Sequence, residues 1–371
     1  MKDEVASPRL AGCPPSLPPE AYLGGWWAAE RARLWPRAWV CVGRLEDQAP
    51  GTMRRVGVGG ADALLLRPSE GAPVAYHNVC PHRGAELCAE GERPVGRLIA
   101  CPYHAWSFRA EDGRLVSTAF ARPTADFEPE AHGLLRLGLR VWRGFVFLRA
   151  QGEDGEPEAD LPFSTLDAWP LEALRVGHRH VAELLCDWKL FWENYSECLH
   201  CPGVHPGLSA RVPVYREGLM AWEERAGWDG ARGLALEEGA ESWTPSGRLC
   251  GAPFPGLSAQ ERGRGHVFLT FWPSLYLVAH PDHVRAVRVE AVAPGRTRLT
   301  AEWLFPEETM AQPGFDAAHV ASFARTVMEE DGRAVEMNQR GLSHPAFRGG
   351  RLMPEEFEVR RFHDWVRERI A

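Results

Sequence analysis

Two short segments carry side chains able to bind iron. CPHRG holds Cys80 and His82, and CPYHAW holds Cys101 and His104, with 18 residues between His82 and Cys101. Two soft thiolates and two imidazoles suit a [2Fe-2S] centre in which one iron takes both cysteines and the other both histidines. A single structural zinc ion is the alternative, but paired zinc ligands usually have roughly two to four residues between them. Cys80 and His82 have one residue between them. That spacing crowds one tetrahedral ion and suits two metals sharing the ligands.

A second set of ligand types lies in DWKLFWENYSECLHCPGVHPGL, where His200 and His205 have four residues between them. On an ideal helix such a pair diverges by about 140°, so the helix must break if both rings share an ion, and Pro202 and Gly203 supply a break. Two imidazoles, one carboxylate and open positions make the facial triad of a non-haem Fe(II) centre. The carboxylate is sought in the late run Glu329-Glu330-Asp331. With Val327 set at zero and about 100° per residue, Val320, Ala324, Ala334 and Asn338 fall between about −20° and 60°, and Asp331 near 40°. Glu329 points to the far side and Glu330 sits at the margin. An acid on a buried stripe is costly unless it is paired or binds metal, which makes Asp331 the third candidate ligand. Glu197, three residues before His200 on the same helix, is placed to hold that ring's second nitrogen; a capping or surface-pair role is the plainer alternative.

These residues need elements to position them. A proline-rich start (PPSLPPEAY) leads to GGWWAAERARLWPRAWV, whose Trp27, Ala28, Arg31 and Leu34 recur at helical spacing until Pro36 ends the run. From Trp39 to Phe147 the signals are short β-type runs, such as ALLLR and GFVFLRA, between Gly, Pro and Asp turns. The acidic stretch QGEDGEPEADLP, residues 151–162, predicts a linker or exposed loop. Beyond it the pattern predicts a strand (HRHVAELLC), a helix opening at Asp187, a Gly-rich and Trp-dotted middle, strands over 266–304 and a long helix from about Asp316. No internal repeat is visible, and the second part is α+β.

Length and charge narrow the class. A chain of 371 residues, 45% of them hydrophobic, is long enough for two domains. A net charge of −8 and no long Lys/Arg run argue against a nucleic-acid partner. No apolar stretch reaches membrane-spanning length, and MKDEVASPRL lacks the order of a signal peptide. Nine cysteines, an odd number in a large chain, do not make a disulfide framework. A cytoplasmic protein without membrane contact is expected.

The joint order of RAWVCVGR, CPHRGAEL, CPYHAWSF, ENYSECLHCPGVHP and the terminal EED…NQRGL helix resembles the α subunit of Rieske non-haem iron oxygenases, also called ring-hydroxylating oxygenases, over nearly the whole chain. Respiratory Rieske proteins carry one more cysteine in each cluster loop; Gly84-Ala85 and Pro102-Tyr103 offer none, so the resemblance is to the branch that feeds oxygenases. It implies a small antiparallel β domain with the [2Fe-2S] cluster over 37–150, an α+β helix-grip catalytic domain with mononuclear Fe(II) over 151–371, and an N-terminal helix over 1–36 packing on the latter. It implies that Cys80, His82, Cys101 and His104 hold the cluster, that His200, His205 and Asp331 hold the iron, and that O₂ is activated beside a small organic substrate. Head-to-tail homotrimers are implied, with Glu197 linking His104 of one chain to His200 of the next. The chain lacks a GxGxxG fingerprint and a plant-type ferredoxin cysteine set, so NAD(P)H electrons are expected through a separate reductase, with or without a ferredoxin. The ENYxECxHC form with Glu197 resembles enzymes acting on carnitine, choline and betaines, which makes oxidative N-demethylation the leading expectation. Aromatic-ring mono- or dihydroxylation and a non-catalytic electron-transfer role are the alternatives. Trp222, Trp228, Trp243, Phe268, Phe271, Trp272 and Tyr276 are candidates to face a cationic head group, and His280 and His283 to line the pocket.

Overall fold

The computed structural model describes residues 9–151, 166–218 and 236–371. The expected linker, apart from Gln151, and Trp222 and Trp228 lie outside the described residues. The chain divides into two compact units, residues 31–160, and residues 1–30 together with 161–371.

The 31–160 unit contains β1 (Val40–Arg44), β2 (Thr52–Val58), β3 (Ala61–Arg67), β4 (Val74–His77), β5 (Glu92–Pro94), β6 (Leu98–Ala100), β7 (Ser107–Arg109), β8 (Leu115–Ser117), β9 (Gly138–Trp142) and β10 (Phe145–Arg149). They pair antiparallel in the orders β1-β10-β9, β4-β3-β2-β5 and β6-β7-β8. The hairpin between β2 and β3 turns on Gly59 and Gly60, at φ 58° and 77°, the left-handed pair that a tight two-residue turn requires. A Cβ on Gly59 would stand 2.3 Å from Trp35. In β3 the unbroken run Ala63-Leu64-Leu65-Leu66 is fully buried, as an apolar run without alternation predicts for a strand covered on both faces. Leu64, Leu66, Tyr76, Ile99 and Phe108 form one core with Cys80 and Cys101. The two ligand loops therefore stand on packed hydrocarbon.

The second unit is built on one antiparallel sheet of β11 (Arg175–Leu184), β12 (Val267–Phe271), β13 (Leu275–Ala279), β14 (Val284–Ala293) and β15 (Arg296–Phe305), in the order β11-β15-β14-β13-β12. Its helices include α1 (Trp188–Asn194), α2 (Cys201–Val204), α3 (Pro206–Arg211), α4 (Ala317–Leu342) and α5 (Phe357–Ile370). Asp187 caps α1 by accepting from Lys189 N–H at 3.1 Å, and Asp316 caps α4 by accepting from Ala318 and His319 N–H at 2.9 and 3.1 Å. Along α4 the buried stripe takes in Val320, Ala324, Val327, Asp331, Gly332 and Val335. Ala334 is half-buried and Asn338 exposed, so the stripe ends nearer Val335 than the angular reading places it. At Gly332 a Cβ would lie 3.1 Å from Leu184 Cδ2, so the missing side chain lets α4 settle against β11 beside Asp331.

The N-terminal residues bind back to this unit through Leu10 N–H to Pro354 O and Leu352 N–H to Pro14 O, both 2.9 Å. The expected amphipathic helix there is instead one α turn, Trp27–Ala29, followed by a π-helical turn, Glu30–Leu34. Of the predicted stripe only Leu34 is buried, while Arg31 and Ala28 face solvent and Glu30 faces inward. The cause is electrostatic: the Glu30 carboxylate accepts from the Lys189 ammonium at 2.5 Å and from the Trp188 indole at 3.1 Å. Asp187 lies 2.7 Å from the same ammonium, and all three charged side chains are buried. A buried cluster of this kind tolerates loss of one member poorly because the others stay desolvated. Lys189→Met is expected to cost about 3–5 kcal/mol, seen as a lowered urea midpoint and a lowered melting temperature against wild type.

Candidate metal centres

The two ligand loops of the 31–160 unit fold alike. Cys80 N–H donates to Ala85 O at 2.7 Å and Gly84 N–H to Cys80 O at 2.9 Å; Cys101 N–H donates to Trp106 O at 2.8 Å and Ala105 N–H to Cys101 O at 3.0 Å. Each turn closes through a left-handed residue, Gly84 at φ 76° and Ala105 at φ 58°. For Ala105 that conformation costs about 1–2 kcal/mol, a strain that the surrounding turn must hold. Asn78 locks the first loop from beneath: its Nδ2 donates to Cys88 O at 2.7 Å, and its Oδ1 accepts from Leu87 and Cys88 N–H at 3.1 and 3.0 Å. Cys88 itself is core.

Within this frame the four candidates segregate by type. Cys80 and Cys101 are sunk into the core, and burial together with the neighbouring Cys101 thiol raises the Cys80 pKa. The imidazoles of His82 and His104 lie half-exposed, 4.7 Å apart between ring centroids, and His82 stacks on Trp106 at 4.5 Å. Sulfur donors inside and nitrogen donors outside is a division compatible with a two-iron cluster that has one ligand type per iron. Asn78 and Trp106 carry no ligand signature, and only Trp106's place inside CPYHAW hints at its stacking role.

In the second unit the local course of the chain differs from expectation. The helix α1 stops at Asn194, so Glu197 lies in the turn that follows and not on a helix. Pro202 and Gly203, expected to break the chain, sit inside α2, where a proline in the first turn loses no hydrogen bond. The break falls at His205, at φ −120° and ψ 70°, because the ring of Pro206 disfavours helical backbone in the residue before it. A disulfide between Cys198 and Cys201 brackets His200, so two of the nine cysteines are not thiols.

These turns bring His200, His205 and Asp331 together, with one donor atom of each within 4.8 Å of the others. Asp331 Oδ1 stands 2.8 Å from His205 Nε2 and 3.5 Å from His200 Nε2. Each ring's other nitrogen meets a further carboxylate: His200 Nδ1 lies 2.6 Å from Glu197 Oε1, and His205 Nδ1 lies 2.8 Å from Glu330 Oε2. Burial alone lowers the His200 pKa, but hydrogen bonds to Asp331 and Glu197 outweigh it and lift the imidazole to about 10. Conversely, burial raises the Asp331 carboxyl, and the two imidazoles outweigh it and hold it below its usual range. Two imidazoles and one carboxylate converging from one side, each ring oriented by an acid on its far nitrogen, fit a divalent transition-metal ion. Glu330 is the residue sequence reasoning missed here; its only signal is its place beside Asp331 at the edge of the buried stripe.

The space at this triad is lined by Tyr195, Tyr215, Trp243, Phe268 and Tyr276, with Asn194 and Arg285. Its volume is about 50 Å³, enough for a few waters. Of the aromatic candidates, Trp243, Phe268 and Tyr276 line it, whereas Phe271 and Trp272 do not. Trp272 packs instead on Phe362 and Trp365. His280 and His283 also lie outside the lining, stacked on one another at 4.5 Å between centroids.

A two-thiolate, two-imidazole group in one unit and a cluster of two imidazoles and a carboxylate in the other fit the two centres of an iron oxygenase. The chain belongs to the ring-hydroxylating α-subunit family: the model of its catalytic domain matches residues 171–371, and that of the Rieske [2Fe-2S] domain matches residues 38–128. It is thus an oxidoreductase of the Rieske oxygenase type, carrying a [2Fe-2S] domain and a mononuclear-iron catalytic domain. The glycine betaine monooxygenase oxygenase subunit of Pseudomonas aeruginosa PAO1 is 26% identical over 368 residues, covering 91% of this chain and 84% of that protein. The carnitine monooxygenase oxygenase subunit of Escherichia coli K12 is 29% identical over 339 residues, covering 88% and 84%. In fold, the quaternary ammonium Rieske monooxygenase described with carnitine oxidation and inter-subunit electron transfer aligns at TM-score 0.74, with 23% identity and coverage of 98% and 97%.

Removal of the acid behind His205 tests the site's construction. Glu330→Ala is expected to lower affinity for the mononuclear iron by about 10- to 100-fold, read as iron lost to graded chelator. The visible absorption of the cluster should not change.

Proposed function

We propose that this protein oxidises a small quaternary ammonium compound at a carbon attached to the nitrogen. The observation that carries the reading is the compact, aromatic-lined space opening on the triad. Ring faces attract a cation by their quadrupole, and Trp243, Phe268 and Tyr276 stand around the triad. The relatives named for glycine betaine and carnitine support the same reading.

Cys80, His82, Cys101 and His104 would hold the cluster, and His200, His205 and Asp331 the iron, which supplies open positions for reduction of O₂ by electrons from the cluster. Glu197 and Glu330 fix the two imidazoles, Tyr195 and its neighbours exclude water, and Asp331 keeps its charge against burial. Oxidation of an N-methyl group inserts one oxygen atom into a C–H bond; the second leaves as water after two electrons and two protons are taken up. The hydroxymethyl product collapses to a tertiary amine, formaldehyde and a proton. Attack on a longer substituent releases the methylated amine and an aldehyde instead.

We assign the cluster function to the unit spanning 31–160 and the oxygenase function to the other, with residues 1–30 as part of the latter. In this reading a separate NAD(P)H-dependent reductase, directly or through a ferredoxin, reduces a homotrimer in which Glu197 joins the cluster of one copy to the iron of the next. Inter-subunit electron transfer in a structural relative supports that arrangement. Among the described residues no helix is long and apolar enough to cross a membrane, and a cytoplasmic enzyme is the proposal consistent with that.

The test is a product assay with iron-replete protein, a surrogate reductase and NADH across quaternary amines and aromatic hydrocarbons. Formaldehyde or a released amine matching O₂ consumed is expected. Diol or phenol formation with no amine product would replace this reading with ring hydroxylation, and cluster reduction without O₂ consumption would leave only electron transfer.

A further inference from the structure

We infer that Arg285 is the anchor for a carboxylate on the substrate, so that the enzyme takes zwitterionic betaines and discriminates against choline-like cations. This rests on the quaternary ammonium reading above and narrows it.

Arg285 lies on β14, paired in register with Val278 on one side and Trp303 on the other, and its residue is 2% exposed. Such burial of a guanidinium ordinarily demands an acid. Three other buried cations have one: Lys189 meets Glu30 and Asp187, Arg44 meets Glu46, and Arg211 meets Glu237. Among the described residues no carboxylate pairs with Arg285. Its Nε has no hydrogen-bond partner, and its Nη1 makes one long bond of 3.5 Å to Ala324 O. The group stands 5.9 Å from the Trp243 ring centroid and lines the same space as His200, His205 and Asp331. The phenols of Tyr195, Tyr215 and Tyr276, whose pKa burial raises, each feel its positive charge.

A buried guanidinium that lines a ligand cavity and has no acid partner among the described residues suits a planar anion, which a carboxylate fits in two parallel bonds. The acids lining the same space, Asp331 and Glu197, are committed to the imidazoles. The cavity therefore presents aromatic faces for a cationic head and one fixed cation for an anionic tail. A ligand with a head but no tail brings a second positive charge beside Arg285 and leaves its donors unbound, and discrimination follows from that repulsion as much as from the lost bonds.

Two measurements test this. On the wild-type holoenzyme, calorimetric binding of glycine betaine and carnitine is compared with that of choline and of the methyl ester of glycine betaine, which keeps the head and removes the negative charge. The carboxylates are expected to bind about 100-fold or more tightly than the ester and choline. Affinities within about threefold of one another would overturn the inference, and this arm holds even if a variant fails to fold. In Arg285→Met, with cluster and mononuclear iron confirmed by metal analysis, KM for the carboxylates should rise about 100-fold and the preference over choline should fall below about tenfold. An unchanged KM overturns the inference. A wild-type enzyme that binds and oxidises choline as readily as betaine also overturns it while leaving the proposed function standing; inertness to every quaternary amine removes the proposed function itself.

Discussion

The catalytic unit is organised around one costly placement, a carboxylate on the buried face of a long helix. Asp331 is 6% exposed and survives there because two imidazoles converge on it. Much of the surrounding structure follows from that need. Gly332 removes a side chain so that α4 lies close to β11. Pro206 forces the chain out of helical backbone at His205, and the Cys198–Cys201 disulfide pins the turn bearing His200. The further acids, Glu197 and Glu330, turn each ring so that its other nitrogen faces inward. Asp331 and the two imidazoles hydrogen-bond to one another, and one donor atom of each lies within reach of a common point. The site is preorganised by carboxylates whose desolvation the imidazoles offset.

The cluster unit meets the opposite problem. Its donors must approach a surface and still be rigid, and the loops manage this by repeating one backbone turn twice, each closed by a left-handed residue. Hydrocarbon beneath holds the sulfur donors, and the stacking of Trp106 on His82 orders a nitrogen donor that solvent partly reaches. With the cluster held by these four residues as proposed, burial of the thiols and partial exposure of the imidazoles would place low polarity on one side of it and water on the other, a gradient that tunes the reduction potential of such clusters.

The grouping of the candidate ligands was legible in the sequence because it is carried by residue type and short spacing. Cys80 with His82, Cys101 with His104, and His200 with His205 are local pairs, and Asp331 emerged from helical angle alone. The strands ALLLR and HRHVAELLC, the cap at Asp187 and the long helix from Asp316 were legible for the same reason. What was not legible depends on contacts far apart along the chain. Glu30 turned inward because Lys189, 159 residues later, required it, and no periodicity within the first helix encodes that. The break at His205 was misplaced because Pro202 carries the stronger general signal, while a proline in a first turn is harmless and the one following His205 is not. Arg285 gave no signal at all: in sequence it is one arginine in a strand, and only the fold reveals that it lacks a carboxylate partner among the described residues.

The central claim is that one polypeptide carries a cluster and a separate mononuclear iron. The most direct measurement is metal and acid-labile sulfide analysis of anaerobically prepared, iron-replete protein, with Asp331→Ala beside it. The account predicts about three irons and two sulfides per chain in the wild type, falling to about two irons and two sulfides in the variant, with the visible spectrum intact. Two irons per chain in both proteins under every loading condition would contradict it.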